Sequence, residues 1–208
     1  VFLLDGAQGT RKALASWAAV ELAGLISPIN HCNVFRGKNI GGGVSSAQKA
    51  AIKDGSFDNL YIGDYWNTNG VPWRIADMDY FLRCGDTDFN RHHLIVVPDT
   101  PLYTGKMNET HTTEGGYAGS LMYKSGLDQA KTTITAAFGD LVTTHRDYFC
   151  NAVSNGRPSG GAWFDSTVEL MSERMVYGNA VFAPVSDGSF VPANYTTGKS
   201  QFALFRMA

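Results

Sequence analysis

Charged side chains are scarce in this sequence, and no part of it concentrates charge of one sign. Charged residues make up 17% of the 208 residues and the net charge at pH 7 is −2, whereas about 25% is typical of soluble domains. The densest basic position is the pair Arg11 and Lys12. Because proteins hold phosphate backbones with clustered lysines and arginines, the sequence predicts no nucleic-acid binding.

Cysteines are also few. Cys32, Cys84 and Cys150 are odd in number and far apart, and no Cys-x-x-Cys or Cys/His zinc spacing occurs. This pattern excludes a disulfide framework and predicts three reduced, partly buried thiols. Free thiols are typical of a chain made in a reducing compartment such as the bacterial cytoplasm.

Long apolar runs are absent. The longest, residues 17–26, is interrupted by Glu21 and is far shorter than the ~20 residues that span a bilayer. The sequence therefore predicts no membrane insertion, and no charged segment precedes an apolar core as in a signal peptide. The chain begins at Val1 without a methionine and ends at Ala208 after an apolar run, so we expect a processed or incomplete chain.

Glycine and aromatic residues are plentiful, and they predict many turns and short strands. Residues 1–4 read as a strand, and residues 13–26 read as a helix whose small-residue face must pack on its own domain or on copies of itself. The glycine-rich residues 38–43 lack the Gly-Lys-Ser/Thr of a phosphate-binding loop and read as a linker. We therefore predict a strand–helix appendage over 1–43, used for attachment or oligomerisation, and a second domain over 44–208.

The second domain reads as short antiparallel strands and hairpins with two or three helices, an α+β class. Strands and helices do not alternate regularly, which argues against a parallel sheet. Predicted helices cover residues 47–53 (capped by Ser46), 127–138 and 166–175, and predicted strands cover 59–66, 71–81, 92–97, 181–184 and 190–192, with an Asn69-Gly70 hairpin turn and a loop at 156–161.

No residue pattern predicts catalysis. Ser159 lies in Pro-Ser-Gly-Gly rather than in a Gly-x-Ser-x-Gly elbow. Cys150 and His145 are five residues apart, so on a strand they would point to opposite faces. Six acidic residues could in principle supply a carboxylate pair, but their spacing selects none: Asp77, Asp79, Glu109, Glu114, Glu169 and Glu173. Glu169 and Glu173 are expected on a solvated helix face.

Metal binding is not predicted either, and neither is any cofactor. His92 and His93 are adjacent, so one should face solvent and the other should pack. Residues 86–90 begin like a calcium loop, but Arg91 and Val97 stand where glycine and glutamate are required. His111 and Glu114 lie in a polar loop with no further ligand that the sequence identifies.

Aromatic residues admit two interpretations. They could form an interface or a sugar-binding face, or they could be core residues and cross-strand pairs. The residues concerned are Tyr61, Tyr65, Trp66, Trp73, Tyr80, Tyr103, Tyr117, Tyr123, Trp163 and Tyr195.

Seven segments resemble a domain found in proteins of phages and prophages of gut Gram-positive bacteria, over residues 45–205. They are residues 59–66 (NLYIGDYW), 73–76 (WRIA), 92–99 (HHLIVVPD), 115–120 (GGYAGS), 144–147 (THRD), 163–178 (WFDSTVELMSERMVYG) and 198–202 (GKSQF). The resemblance implies a C-type-lectin-like fold. Residues 1–6 and 9–12 resemble the opening of phage tail-fibre proteins. The Trp-Leu-Arg end of the family pattern is missing, so we expect a C-terminally truncated domain.

The sequence thus favours a non-enzymatic virion structural protein: a fibre, decoration or receptor-binding protein that acts in assembly and host attachment. The resemblance implies a homo-oligomer, with a trimer as the expected state in such appendages, and with other virion proteins and a host surface glycan as partners. Two alternatives stay open. One is a lectin-like enzyme, either a thiol-dependent oxidase or a glycan hydrolase, and the other is a bacterial carbohydrate-binding adhesin.

Overall fold

The computed structural model describes residues 31–178 and 201–207. Their fold is α+β, as predicted, with a three-stranded and a two-stranded antiparallel sheet and short helices. In order the elements are α1 (Ser46–Asp54), β1 (Tyr65–Thr68), β2 (Val71–Met78), β3 (Leu94–Pro98), α2 (Gly116–Gly119), a π-turn (Met122–Gly126), α3 (Asp128–Phe138), a 3-10 turn (Gly139–Leu141), β4 (His145–Ser154), β5 (Arg157–Ser166), α4 (Glu173–Tyr177) and α5 (Ala203–Met207). The predicted elements at 1–4, 13–26, 181–184 and 190–192 lie outside the described residues.

Helix α1 has strong signals at both ends. Ser45, one residue before the predicted cap, accepts a hydrogen bond from the Gln48 amide, and the Gln48 side chain accepts one from the Ser45 amide. This reciprocal capping box satisfies two amides that a helix start leaves unpaired. Gly55 ends the helix with a φ of 75°, a conformation that glycine adopts without strain. Trp66 donates its indole N–H to the Gln48 side chain at 3.1 Å, so the cap also ties α1 to β1.

The hairpin of β1 and β2 turns at Asn69-Gly70, as predicted. Both residues have positive φ, 54° and 79°, which is the geometry that matches the twist of paired strands. Thr68 pairs with Val71 and Trp66 pairs with Trp73. The two buried indoles contact Phe138 of α3 edge-on, at centroid distances of 6.2 and 5.5 Å.

Five strand boundaries differ from prediction, of which the ends of β1 and β3, at Thr68 and Pro98 rather than residues 66 and 97, differ by only one or two residues. Residues 59–64 form turns, and only Tyr65 begins the strand. Strand β2 stops at Met78 rather than at residue 81 because Asp79 adopts a positive φ of 56° and exchanges hydrogen bonds with His93. For the same reason β3 begins at Leu94 rather than at His92.

The segment predicted as a linker is hydrogen bonded to the sheet. Tyr65 N donates to the Lys38 carbonyl, and Ile40 N donates to the Tyr65 carbonyl, each at 2.9 Å. Asp64 is fully buried, and its carboxylate accepts from the Arg36 guanidinium at 2.6 Å and from the Lys38 amide at 3.0 Å. Residues 36–41 therefore belong to the folded body, and the proposed attachment role of the residues before them stays a prediction.

Helix α3 covers Asp128–Phe138, in agreement with the predicted helix at 127–138. The π-turn precedes it, and Gly139, with a φ of 57°, ends it. None of the described helices is both long and apolar enough to cross a membrane.

The hairpin of β4 and β5, with ten residues in each strand, was not predicted. The prediction of a loop at 156–161 is wrong. The chain turns at Asn155-Gly156, whose positive φ values of 51° and 71° are again those of a two-residue hairpin turn. Pro158 and Gly161 then pair with Val153 and Cys150 in the ladder. Proline is tolerated here because the sheet has two strands, and each strand is an edge.

The predicted helix at 166–175 is also wrong. Ser166 is the last residue of β5, and the helix begins only at Glu173, where the Ser172 side chain caps it. Residues 167–172 form an irregular connection without helix or strand. Glu169 and Glu173 therefore do not share a helix face, and Glu169 is mostly buried, with 12% of its side chain exposed.

The core lies between the three-stranded sheet and its surrounding helices. Leu60, Ile62, Ile75 and Met78 are fully buried. The short helix α5 closes this core, since Phe202 and Ala203 are buried and the Ala203 amide donates to the buried carboxylate of Asp77 at 2.9 Å. A contact between residues 126 positions apart thus joins the end of the described chain to β2.

We predict that Asp64→Asn lowers the free energy of unfolding by about 3 kcal/mol or more, because it leaves the buried Arg36 charge without its partner. Urea unfolding followed by tryptophan fluorescence measures the change. The matched control is Asp88→Asn at an exposed position, where we expect a change within about 0.5 kcal/mol. Equal stability of the two variants would contradict the proposed role of Asp64.

Candidate functional site

The inward face of β4 carries the residues of the candidate site. Side chains alternate along a strand, so His145, Asp147 and Phe149 share one face, and Asp147 and Phe149 are buried. The Phe149 ring packs against Tyr117 and Tyr123 at centroid distances of 5.1 and 5.2 Å. This aromatic packing fixes the face on which His145 and Asp147 lie.

The connection 167–172 brings Glu169 to this face. The Leu170 amide donates a hydrogen bond to the Tyr117 hydroxyl at 2.9 Å, which holds the connection next to α2. Glu169 Oε2 then lies 3.5 Å from His145 Nε2. One ligand atom from each of His145, Asp147 and Glu169 lies within 4.8 Å of the other two. We call these three residues the acidic-histidine cluster.

Two atoms of the acidic-histidine cluster are buried without satisfied hydrogen bonds. Neither His145 Nε2 nor Glu169 Oε2 has a hydrogen-bond partner within the described residues. Their separation of 3.5 Å is long compared with about 2.9 Å for a normal N–H···O bond. Buried polar atoms are nearly always satisfied. Trp73 Nε1, Ser166 Oγ and Arg174 Nε also lack hydrogen-bond partners within the described residues, but only His145 Nε2 and Glu169 Oε2 belong to a cluster of possible metal ligands.

The electrostatic environment of the acidic-histidine cluster is negative. Burial disfavours the charged imidazole, but the contact with Glu169 and the charges of Glu169 and Asp147 raise the pKa of His145 above its ordinary value. Burial and the same two carboxylates raise the pKa of Tyr117 and of Tyr123. The negative charges of Glu169 and Asp147 thus act to raise the pKa values of His145, Tyr117 and Tyr123 together.

The acidic-histidine cluster opens on a cavity of about 1130 Å³, slightly larger than a typical small-molecule pocket. The walls come from β3, from α3 and from residues 167–171. His145 and Glu169 line the cavity, whereas Asp147 does not. Three aliphatic side chains of its lining are partly exposed: Leu141 by 40%, Leu170 by 42% and Met171 by 45%. We call these three residues the aliphatic rim.

The other predicted candidates are not brought together. Cys32, Cys84 and Cys150 are present as thiols, and none of them lines the cavity. Cys150 lies on the face of β4 opposite His145, as predicted for a strand, and its thiol contacts the Ala152 carbonyl at 3.1 Å. Ser159 is exposed.

The two adjacent histidines behave as predicted, one facing solvent and one packing. His92 is partly exposed and contacts Asp79 through Nδ1 at 2.7 Å. His93 is buried; its Nε2 accepts from the Phe81 amide, and its Nδ1 lies 2.9 Å from the Arg91 carbonyl. These partners define a neutral histidine that donates from Nδ1.

The remaining acidic candidates have structural or solvent-facing roles. Asp86 binds the Arg146 guanidinium through both carboxylate oxygens, at 2.8 and 2.6 Å, and residues 86–90 therefore do not form a calcium loop. Asp77 accepts backbone hydrogen bonds in the core. His111, Glu109 and Glu114 are exposed.

The described aromatic residues of the predicted set are buried or half-buried. Tyr61, Trp66, Trp73 and Tyr80 are buried, and Tyr65, Tyr103, Tyr117, Tyr123 and Trp163 are half-buried. Tyr148 and Trp163 form a cross-strand pair at 5.3 Å. Core packing is therefore confirmed for Tyr61, Trp66, Trp73 and Tyr80 and cross-strand packing for Trp163. For the other half-buried residues both interpretations stay open, and Tyr195 lies outside the described residues.

Sequence reasoning missed the acidic-histidine cluster. The His-x-Asp spacing of His145 and Asp147 was an available signal, since residues two apart share a strand face. Nothing local marked Glu169, which was assigned to a helix. Comparison with known proteins returned no matching family model, no matching curated protein and no matching solved structure.

We predict that Tyr117→Phe speeds hydrogen exchange in residues 167–172, because the Leu170 amide loses its acceptor. The expected loss of stability is about 1 kcal/mol, that of one hydrogen bond. Hydrogen exchange followed by mass spectrometry measures the effect. Tyr65→Phe removes a hydroxyl from the β1 edge and should leave this segment unchanged. Unaltered protection in Tyr117→Phe would show that the bond does not hold the connection.

Proposed function

We propose that this chain is a non-catalytic binding and assembly protein of a bacteriophage particle, built around an α+β domain of the C-type-lectin-like kind. The single observation that carries the proposal is the large cavity with its aliphatic rim. Exposed apolar side chains grouped at a concave surface mark interaction sites. The weakly charged sequence and its resemblance to phage appendage proteins add support.

We take the occupant of the cavity to be another copy of this chain. Leu141, Leu170 and Met171 are each exposed by 40% or more, and a self-associating surface would remove these side chains from water. Phage appendage proteins of the kind that the sequence resembles are homo-oligomers, and a trimer is the expected state. Host glycan binding would then be a property of the assembled particle.

The enzymatic alternatives have less support from the described residues. A glycan hydrolase needs two carboxylates that both face the substrate, but Glu169 lines the cavity and Asp147 does not. A thiol oxidase needs reactive thiols at the substrate site, and no cysteine lines the cavity. A bacterial adhesin shares every structural feature of the proposal and differs from it in location.

We predict that Met171→Ser weakens self-association of the purified chain, because it removes an exposed apolar side chain from the aliphatic rim. Light scattering over a range of concentrations measures the mass, and the midpoint of assembly should move to higher concentration by about tenfold, as expected for a buried thioether side chain. Met107→Ser is the matched control, since Met107 is equally exposed at 45% and does not line the cavity.

A monomer at every concentration, or equal effects of Met171→Ser and Met107→Ser, would overturn the assignment of the cavity to self-association. The virion location has its own test, in which gold-labelled antibody against the chain is imaged by electron microscopy on particles of the phage that carries the gene. We expect labelled particles. Label on the bacterial surface alone would favour the adhesin instead.

A further inference from the structure

The acidic-histidine cluster has the composition of a metal site. We propose that His145, Asp147 and Glu169 bind one divalent first-row transition cation such as Zn²⁺ or Mn²⁺. The proposal does not rest on the virion function, because it depends only on these three side chains and their surroundings. An imidazole suits Zn²⁺ and its neighbours in the first transition row, while carboxylates also suit Mn²⁺.

The distances fit one ion after small side-chain adjustments. Two donors bound at about 2.1 Å lie about 3.4 Å apart in a tetrahedron and at most about 4.2 Å apart in any geometry. His145 Nε2 and Glu169 Oε2 are already 3.5 Å apart. The largest separation in the cluster, within 4.8 Å, would shorten by up to about 1.4 Å in a tetrahedral site, which side-chain rotations of Asp147 and Glu169 can provide.

The charges fit a dication as well. Two carboxylates, one of them on the buried Asp147, lie beside a single imidazole. Burying like charges together is costly unless an opposite charge compensates. A divalent ion would compensate both carboxylates, and it would satisfy His145 Nε2 and Glu169 Oε2, the two atoms that lack hydrogen-bond partners.

The surroundings of the acidic-histidine cluster orient its members. Asp147 Oδ1 accepts the Tyr148 amide at 2.7 Å, and the His145 imidazole interacts with the backbone of Thr143. Metal-bound histidines usually donate their second ring N–H to such a backbone carbonyl. Since His145 Nε2 faces Glu169, Nδ1 remains for this contact. Tyr117 holds the Leu170 amide next to Glu169.

A bound ion would join two distant parts of the chain. His145 and Asp147 lie on β4, whereas Glu169 lies in the connection between β5 and α4. The ion would therefore pin the connection, including the exposed Leu170 and Met171, to the two-stranded sheet. We expect metal to raise the unfolding temperature and to slow hydrogen exchange in residues 167–172.

The test uses the full chain, stripped with a chelator and titrated separately with Zn²⁺, Mn²⁺, Co²⁺, Ca²⁺ and Mg²⁺ by calorimetry. We expect one ion per chain and a Co²⁺ absorption spectrum without the intense band that thiolate ligands cause. The unfolding temperature should rise by several degrees at saturating Zn²⁺. His145→Gln and Glu169→Gln should each weaken Zn²⁺ binding by about a hundredfold or more, since loss of an outer partner alone costs about ten- to a hundredfold.

His111→Gln and Glu173→Gln are the matched controls and should bind like the unaltered chain, because neither residue belongs to the acidic-histidine cluster. Near-ultraviolet circular dichroism checks that each variant folds. If a cluster variant does not fold, the stoichiometry and Co²⁺ spectrum of the unaltered chain still decide. No binding, binding abolished by His111→Gln, or a preference for Ca²⁺ or Mg²⁺ over Zn²⁺ would overturn the proposal.

Discussion

The buried ion pair of Asp64 with Arg36 is the contact on which the three-stranded sheet depends. Asp64 is fully buried, and it accepts hydrogen bonds from Arg36 and from the amides of Lys38 and Tyr61. A buried carboxylate that lost these donors would cost several kcal/mol. Residues 36–38, before α1, and the turn at residues 61–64, before β1, must therefore fold together. This turn positions β1 against β2 and so forms one side of the core.

The acidic-histidine cluster lies next to residues that follow the three-stranded sheet. Phe81, which follows β2, stacks on His145 at 4.3 Å, and the Arg146 guanidinium reaches back to Asp86. His145 is therefore held from one side by the core of the first sheet and from the other by β4 itself. A group bound at this junction would act on the packing of both sheets, which an exposed loop site would not do.

Local chemistry explains which parts of the fold were predictable. The Asn69-Gly70 turn, α1 and α3 were predicted because their turn, cap and end residues act within a few positions of the chain. Strand β5 was missed because Pro158, Gly160 and Gly161 have low strand propensity. A Cβ at Gly161 would lie 2.5 Å from the Tyr148 ring, so glycine is needed for that ring to cross the hairpin. Glu169 was misassigned because a capping-box pattern carries no information about tertiary contacts.

The connection 167–172 unites the two proposals physically. Glu169 points toward His145, while its neighbours Leu170 and Met171 are 42% and 45% exposed. This segment thus carries the proposed metal ligand Glu169 and two of the three residues of the aliphatic rim. If an ion orders this segment, a partner that binds the rim no longer has to order it, and affinity for the partner rises. Linkage then requires the partner to raise affinity for the ion by the same factor. Metal binding and self-association would therefore both depend on the ordering of this one segment.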